Sequence, residues 1–354
     1  QSGKIDHLLH DCLMSGFAMM FFQDPSILAF QRRMYDRMQS SNLKTMFAVE
    51  KIPSDSVLRD TLDAIPTGDI YPAFSILLKH LQRGKQLVPY KLESGHHLIA
   101  LDGSQYFSSE KIHCPACLTY KGKRGPLRYS HQILQAVMLN PHMRQVLALA
   151  PEPVANTDGN TKQDCEINAA KRIVKSIRAI HPKLKIAITA DGLYSKQPFI
   201  DVLKANRMSF ILVAKPTDHK LLFEWVNDLD ELEQSGHMEL SDHKERRHAY
   251  RWVNNVPLNG SRNADQVNFF EYWLSVDQKV TYHNSWVTNV NIDKNNVVEL
   301  VQAGRSRWKI ENETFNTLKN QGYHIEHNFG HGQRYLSNTF FVLNLLAFYI
   351  HQIL

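Results

Sequence analysis

The sequence has few of the features that mark secreted or membrane proteins. Four cysteines in 354 residues are too few for a disulfide scaffold and fit a reducing compartment. No apolar run reaches the roughly 18 residues that a membrane span needs. The segment that comes closest, NTFFVLNLLAFYIHQIL, is interrupted by Asn338, Asn344 and His351, and no signal peptide is recognisable. We therefore expect a cytoplasmic protein with no membrane partner, whose C-terminal segment is a buried helix.

The charge balance is only mildly basic. Lysine and arginine total 41 against 35 aspartate and glutamate residues, which gives a net charge of +6 and a pI of about 9.0. This balance weakly favours a polyanionic partner such as nucleic acid. The hydrophobic content of 43% is ordinary for a globular protein, and the length predicts two or three domains.

Residues 1–93 predict helices. Asp24 is a suitable N-cap with Pro25 at the first helical position, and apolar residues recur at helical spacing. Short helices with basic residues, such as Arg32, Arg33 and Lys44, fit a helix-turn-helix-like DNA-binding domain. A plain helical bundle with a solvated charged surface fits equally well.

Residues 94–220 predict the element order β-β-β-α-β-α-β. Three consecutive strands suggest an antiparallel meander, and the later alternation of helices and strands implies a mixed sheet with helices on both faces. Residues 221–300 alternate like strands between turn signals and predict a β-rich insertion. Residues 301–354 are again helical in pattern, so the predicted fold class is α/β with a helical N-terminal domain.

Two aspartates stand where predicted strands end. Asp102 in HLIALDG and Asp191 in KIAITADG are each followed by glycine, at the sheet edge where ligands bind. If the two strands are neighbours, the carboxylates lie side by side and repel each other. A hard divalent cation such as Mg²⁺, which takes oxygen ligands, relieves this repulsion.

A third acid, Glu311, is predicted to face the core. In the segment RSRWKIENETFNTLK, read as an α-helix, Glu311 falls on one stripe with Trp308, Phe315 and Leu318. A buried carboxylate needs a partner. Either Arg307 forms a structural ion pair with it, or Glu311 joins the two aspartates around metal ions, where two cations about 4 Å apart support phosphodiester chemistry.

Together these motifs resemble the DDE transposases of bacterial insertion sequences, which have a ribonuclease H-like catalytic domain. The resemblance covers most of residues 96–335 and rests on ALDG, TADG and RWKIE in that order. It implies that the catalytic and metal-binding residues are Asp102, Asp191 and Glu311. It also implies that residues 94–220 and 301–354 form the catalytic domain, interrupted by the insertion that is typical of the cut-and-paste branch.

The resemblance further implies Mg²⁺ or Mn²⁺ as cofactor and double-stranded DNA as partner. The enzyme would cleave the terminal inverted repeats of its element and join the 3′-OH ends to target DNA, as a homodimer in the bacterial nucleoid. Arg307 would contact a DNA phosphate, and so would Lys319 or Lys215. In the pattern Y..R...E......K of the cut-and-paste branch, the Tyr position is Gly304 and the Lys position is Leu318, with Lys319 one residue later.

Two other functions fit the same residues. One is a ribonuclease H-like nuclease that hydrolyses but does not join, and the other is a domesticated DNA-binding relative. The helical N-terminal region and the insertion favour end recognition and joining, and the intact acid triad favours an enzyme.

A second metal site is predicted from HCPAC, which contains Cys114 and Cys117. A single C-x-x-C is half of a zinc site. We expect a structural Zn²⁺ completed by two histidines, and the candidates are His113, His131, His327 and His331. A pair of unligated thiols is the main alternative.

Asp164 and Glu166 lie in the first turn of a predicted helix. Acids favour this position because of the helix dipole, and a supporting catalytic role is the alternative.

Overall fold

A computed structural model describes residues 9–123, 125–155, 164–327 and 329–354, with the backbone alone for 37–40. It is built on one large mixed sheet flanked by helices, which confirms the predicted α/β class. The strands are β1 (His97–Ser109), β2 (Leu118–Lys121), β3 (Leu127–Leu139), β4 (Leu147–Ala148), β5 (Glu152–Val154), β6 (Ile186–Ala190), β7 (Ser209–Val213), β8 (Gly236–Ser241), β9 (Arg247–Pro257), β10 (Gln266–Val276) and β11 (Lys279–Thr288).

The centre of the sheet has the ribonuclease H-like order. β3 pairs antiparallel with β1, and β2, β4 and β5 pair along the other edge of β3. β1 then pairs parallel with β6, and β6 pairs parallel with β7. The parallel strand β6 is buried at all five residues because helices cover the sheet.

One helix precedes β6 in the chain, and a second connects β6 to β7. They are α6 (Glu166–Ile180) and α7 (Gln197–Ala205). The inner face of α6 is an apolar stripe at helical spacing, in which Ala170, Ile173, Val174 and Ile177 are buried. Crossover helices of this kind place the carboxyl end of β6 beside the middle of β1. The prediction that the first strand ends at Asp102 is wrong, because antiparallel pairing with β3 extends β1 to Ser109.

The β-rich insertion extends the same sheet. It starts with α8 (Lys220–Glu231), and its four strands run antiparallel in the order β11-β10-β9-β8 from β7 outward. β11 pairs with β7 through Trp286 and Val213. The insertion is thus joined to the catalytic sheet by backbone hydrogen bonds.

The N-terminal region is helical, as predicted, and packs against the C-terminal helix. The predicted N-cap Asp24 is wrong, because Ser26 caps the second helix and Asp24 instead accepts a hydrogen bond from Arg33. Its helices are α1 (Leu9–Phe21), α2 (Ile27–Met34), α3 (Arg37–Phe47), α4 (Asp55–Ala64) and α5 (Pro72–Arg83). α1 and α4 contact α11 (Leu336–Ile353). Within the described residues, α11 alone is long and apolar enough to cross a membrane, but 61% of it is buried inside the protein, as a core helix would be.

The segment around Glu311 departs from the predicted α-helix. α9 (Val297–Arg305) is followed by a π-helix, Ile310–Phe315, and by α10 (Asn316–Asn320). A π-helix repeats at i to i+5 rather than i to i+4, so Ile310 and Phe315 share the buried face. The prediction that Glu311 and Trp308 face the core is therefore wrong, and both side chains are exposed.

Candidate active site

Asp102 and Asp191 lie on neighbouring parallel strands. The register of β1 and β6 pairs His97 with Ile186 and Ala100 with Thr189. Continued by two residues, the same register places Asp102 opposite Asp191. Paired residues on parallel strands point to the same face of the sheet, so the two carboxylates stand side by side, as the sequence predicted.

Arg307 is directed at this acid pair rather than at Glu311. Its Nη1 lies 3.5 Å from Oδ2 of Asp102. Burial raises the pKa of Asp102 to about 6; Arg307 opposes this rise, and the charges of Asp191 and Glu166 add to it. Burial is therefore the main cause of the raised pKa, and the neighbouring acids act in the same direction while Arg307 acts against it.

Asp191 also organises the turn that follows it. Its Oδ1 accepts a hydrogen bond of 2.8 Å from the amide of Leu193, which caps the short 3₁₀ turn Gly192–Tyr194. One carboxylate oxygen is thereby fixed and the side chain is oriented.

Glu166 belongs to the same cluster, although sequence reasoning gave it only as an alternative. Its carboxylate lies over Gly103, the residue after Asp102. It accepts a short hydrogen bond from the hydroxyl of Tyr194. Asp164, by contrast, forms an ion pair of 2.7 Å with Arg172, so the two acids of this helix start have different partners.

Glu311 lies on the π-helix that packs against β1, the strand of Asp102. Its side chain is exposed and is therefore open to an added ligand. The neighbouring acid Glu313 is partly covered and lies 3.5 Å from Arg144. The role of Glu311 as a metal ligand stays a prediction.

A cleft of about 470 Å³ opens beside Asp191. Basic side chains from the loop after β7 and from the end of α9 and the residues after it line this cleft. Its aromatic residues, Tyr282 and Trp308, were not predicted as site residues from the sequence. The lining residues are Asp191, Val213, Lys215, Tyr282, Asn284, Gly304, Arg305, Arg307 and Trp308. Arg305 stacks on Tyr282 with its guanidinium 4.5 Å from the ring centre. Lys319 is not among the lining residues and pairs with Glu326 at 2.9 Å.

The cysteine motif forms a second cluster of potential ligands. Cys114, Cys117, His131 and His331 are all buried, and their ligand atoms lie within 4.8 Å of one another. The two sulfurs are 3.9 Å apart and the two Nε2 atoms are 3.0 Å apart. Nε2 of His131 lies 3.5 and 3.4 Å from the sulfurs of Cys114 and Cys117, and Nε2 of His331 lies 3.5 Å from that of Cys117. A tetrahedral zinc site has edges of about 3.8 Å between sulfurs and about 3.3 Å between nitrogens, so this donor set fits such an ion.

The electrostatics of the cluster also suit a metal. The hydrogen bond from Cys117 lowers the pKa of the Cys114 thiol, and His131 adds to this effect. Burial lowers the pKa of His331, which favours the neutral ring that can ligate. Nδ1 of His331 lies 2.9 Å from the carbonyl oxygen of Gly332, and this contact orients Nε2 toward the sulfurs.

The remaining zinc candidates lie elsewhere. His327 packs edge-on against Phe329 and is not in the set. His113 stacks on Tyr129, and Cys165 is an exposed free thiol. The sequence therefore identified all four members of the cluster, but not which two of the histidines complete it.

Comparison with known proteins agrees with this architecture. The family described as Transposase DDE domain matches residues 98–349, so the chain belongs to the DDE transposase family. A search of curated protein sequences gave no significant match. A similar solved structure is a piggyBac transposase synaptic complex with hairpin DNA, determined by cryo-electron microscopy, at 10% identity and a TM-score of 0.40. The match covers 97% of this chain and 66% of that one, and a TM-score this low supports no functional comparison.

Proposed function

We propose that the protein is a divalent-metal-dependent DNA transposase that cleaves the ends of a bacterial insertion sequence and joins them to target DNA. The observation that carries this proposal is the position of Asp102 and Asp191 just beyond the parallel pairing of β1 with β6, where the continued register places them opposite each other. Family membership supports it. Two adjacent carboxylates, one of them with a raised pKa despite a nearby arginine, are a donor set that a hard cation completes.

Asp102, Asp191 and Glu311 would hold Mg²⁺ or Mn²⁺. When bound, such ions neutralise charge on the scissile phosphate and lower the pKa of an attacking water or 3′-OH. The aspartates are fixed by the sheet and by the cap to Leu193. Glu311 would reach the site from an exposed position on the π-helix, where no apolar packing restrains its side chain.

The π-helix supports Lys319 as the family lysine. In a regular α-helix the residue seven after Glu311 is on the same face, and here that residue is Leu318, which is buried. A π turn contains one additional residue, so the equivalent position moves to Lys319. When DNA binds, Lys319 would leave its ion pair with Glu326 and bind a DNA phosphate instead.

The cleft beside Asp191 would receive DNA. Lys215, Arg305 and Arg307 supply positive charge, and Arg binds phosphate in a defined geometry. Double-stranded DNA at the terminal inverted repeats would be the first substrate and target DNA the second. The enzyme would act as a homodimer in the bacterial cytoplasm, with the N-terminal helices contacting the element ends.

A joining assay tests this function against the nuclease alternative. Full-length protein is incubated with DNA fragments that carry both ends of the element, a target plasmid and Mg²⁺. A transposase yields plasmid into which the fragments are covalently inserted, and omission of the metal abolishes the product. Cleaved ends without insertion would identify a nuclease, and DNA binding without cleavage would identify a domesticated relative.

The Cys114, Cys117, His131 and His331 set would hold a structural Zn²⁺. His331 follows the helical segment that carries Glu311, whereas the other three belong to β3 and the loop before β2. The ion would therefore tie the segment after α10 to the sheet. Residues 333–336 of the same segment are also held by Asp63, which accepts four backbone amide hydrogen bonds of 2.9 to 3.0 Å.

A further inference from the structure

The carboxylate of Glu166 is placed beside the first catalytic aspartate by a glycine. A Cβ added to Gly103 would come within 2.5 Å of Oε2 of Glu166 and within 2.9 Å of Oε1. Any side chain at position 103 would therefore displace this carboxylate. Because Gly103 directly follows Asp102, the glutamate reaches the edge of the sheet where the aspartates meet.

Tyr194 links Glu166 to the second aspartate. Its side chain is fully buried and its hydroxyl donates to Oε1 of Glu166. Burial and the charges of Glu166, Asp102 and Asp191 raise the pKa of Tyr194 far above its usual range, so the hydroxyl stays a donor. Tyr194 lies in the turn that Asp191 caps, which couples α6 to the carboxyl end of β6.

The three carboxylates of this cluster, Asp102, Asp191 and Glu166, form few ion pairs. Among the described residues no cation pairs with Glu166, and Arg307 is the one that pairs with Asp102. The nearby Arg172 is already shared by Asp164 and Glu152. In the part of the chain that the structure describes, the three carboxylates thus share one ion pair, and a divalent cation would provide a partner for the others.

An unpartnered hydroxyl lies on the same face of the sheet. Thr189 is two residues before Asp191, and by strand alternation it points to the same side. Its Oγ1 is fully buried and has no hydrogen-bond partner in the part of the chain that the structure describes. A bound water molecule at the base of the acid cluster would satisfy it.

We propose that Glu166 is a further acid of the catalytic centre, which binds the divalent cation of Asp102 and Asp191 directly or through a water molecule, with Tyr194 as its positioning residue. This inference rests on the proposed metal-dependent function. Glu166 fixes the cation from the helix side of the sheet, while Glu311 would approach from the π-helix. Tyr194 donates to Oε1 of Glu166, so Oε2 is the oxygen that would bind the cation or its water molecule.

Binding of Mn²⁺ to the full chain tests the inference without a catalytic readout. The protein is first saturated with Zn²⁺ to fill the cysteine site, and free Mn²⁺ is then followed by electron paramagnetic resonance during titration. Wild type is compared with Glu166→Gln, Asp102→Asn and Asp164→Asn. We expect Glu166→Gln to bind Mn²⁺ about 10- to 100-fold more weakly, and the matched control Asp164→Asn to bind like wild type.

The outcomes separate the two proposals. Unchanged Mn²⁺ affinity in Glu166→Gln, with binding lost in Asp102→Asn, overturns the role of Glu166 and leaves the proposed function intact. Absence of Mn²⁺ binding by wild type overturns both. If Glu166→Gln does not fold by circular dichroism, Gly103→Ala replaces it, because the new methyl group displaces the carboxylate and keeps its charge. Wild-type affinity in folded Gly103→Ala would overturn the inference.

Discussion

Nη1 of Arg307 lies 3.5 Å from Oδ2 of Asp102, so the arginine of the family motif points at the acid pair across the sheet edge. It is only partly exposed, at 25% of its side chain. The guanidinium therefore lies beside a carboxylate of the proposed metal site and remains partly open to solvent. Arg307 thus pairs with Asp102 and not with Glu311, the structural ion pair that was one of two alternatives for Glu311.

Arg307→Ala is expected to weaken DNA binding without abolishing it. Loss of one phosphate contact affects all sequences similarly and reduces the slope of log affinity against log salt by about 1. Fluorescence anisotropy at several salt concentrations measures both quantities. A slope identical to that of wild type would show that Arg307 does not contact DNA. Arg144→Ala is the control, because this arginine is 80% exposed and lies beside Glu313.

Glu311→Gln is expected to abolish metal-dependent cleavage while leaving the melting temperature near that of wild type, because the side chain is exposed. Glu313→Gln, two residues along the same π-helix, should retain cleavage. Gel analysis of DNA carrying the element ends compares the two variants. Normal cleavage by Glu311→Gln would remove this residue from the metal site.

Cys117→Ser is expected to lower the zinc content from one ion per chain to nearly none and to lower the melting temperature. The serine hydroxyl is a poor zinc ligand, and buried sites of this type contribute directly to folding. Metal analysis by mass spectrometry gives the stoichiometry, with Cys165→Ser as the control because that thiol is exposed and outside the cluster. Purified wild type that contains no zinc, and whose thiols all titrate freely, would contradict the assignment.

Lys309→Met is expected to destabilise the fold by roughly 1–3 kcal/mol, the cost of leaving buried polar groups without partners. Nζ of this buried lysine donates to the carbonyl oxygens of Asn140, Pro141 and Met143 at 2.8, 2.8 and 2.5 Å. It thus fastens the turn after β3 to the start of the π-helix. Chemical denaturation measures the change.

Lys44→Met is the control for this experiment. It removes an exposed ion pair with Glu50, and its effect on stability should be much smaller, because solvent screens exposed ion pairs. Equal effects of the two substitutions would show that Lys309 has no special role.

The sequence predicted the parts of the site that depend on local pattern. Asp102 and Asp191 each end an apolar run, and the alternation of strands and helices makes those runs neighbours. Glu311 was placed on the wrong face because nothing in its neighbours signals a π turn. Glu166 could not be assigned, since its position depends on how α6 docks over Gly103.

Two further features also required the three-dimensional structure. His331 completes the metal cluster from a position 214 residues after Cys117, and spacing alone left it equivalent to His327. Gly304, at the tyrosine position of the family pattern, lies against Trp286, and a Cβ there would come within 2.7 Å of the indole Nε1. The sequence shows that a glycine stands at the tyrosine position, and the close packing against Trp286 explains why no larger residue fits there.

The most direct test of the central claim is cleavage and joining by Asp191→Asn beside wild type. A supercoiled plasmid carrying both element ends is incubated with each protein and Mg²⁺, and DNA binding is measured in parallel. The account predicts that wild type cuts the ends and joins them to target DNA, whereas Asp191→Asn binds the ends with similar affinity and does neither. Cleavage at the wild-type rate by Asp191→Asn would contradict the assignment of the paired aspartates as the metal-binding centre of a transposase.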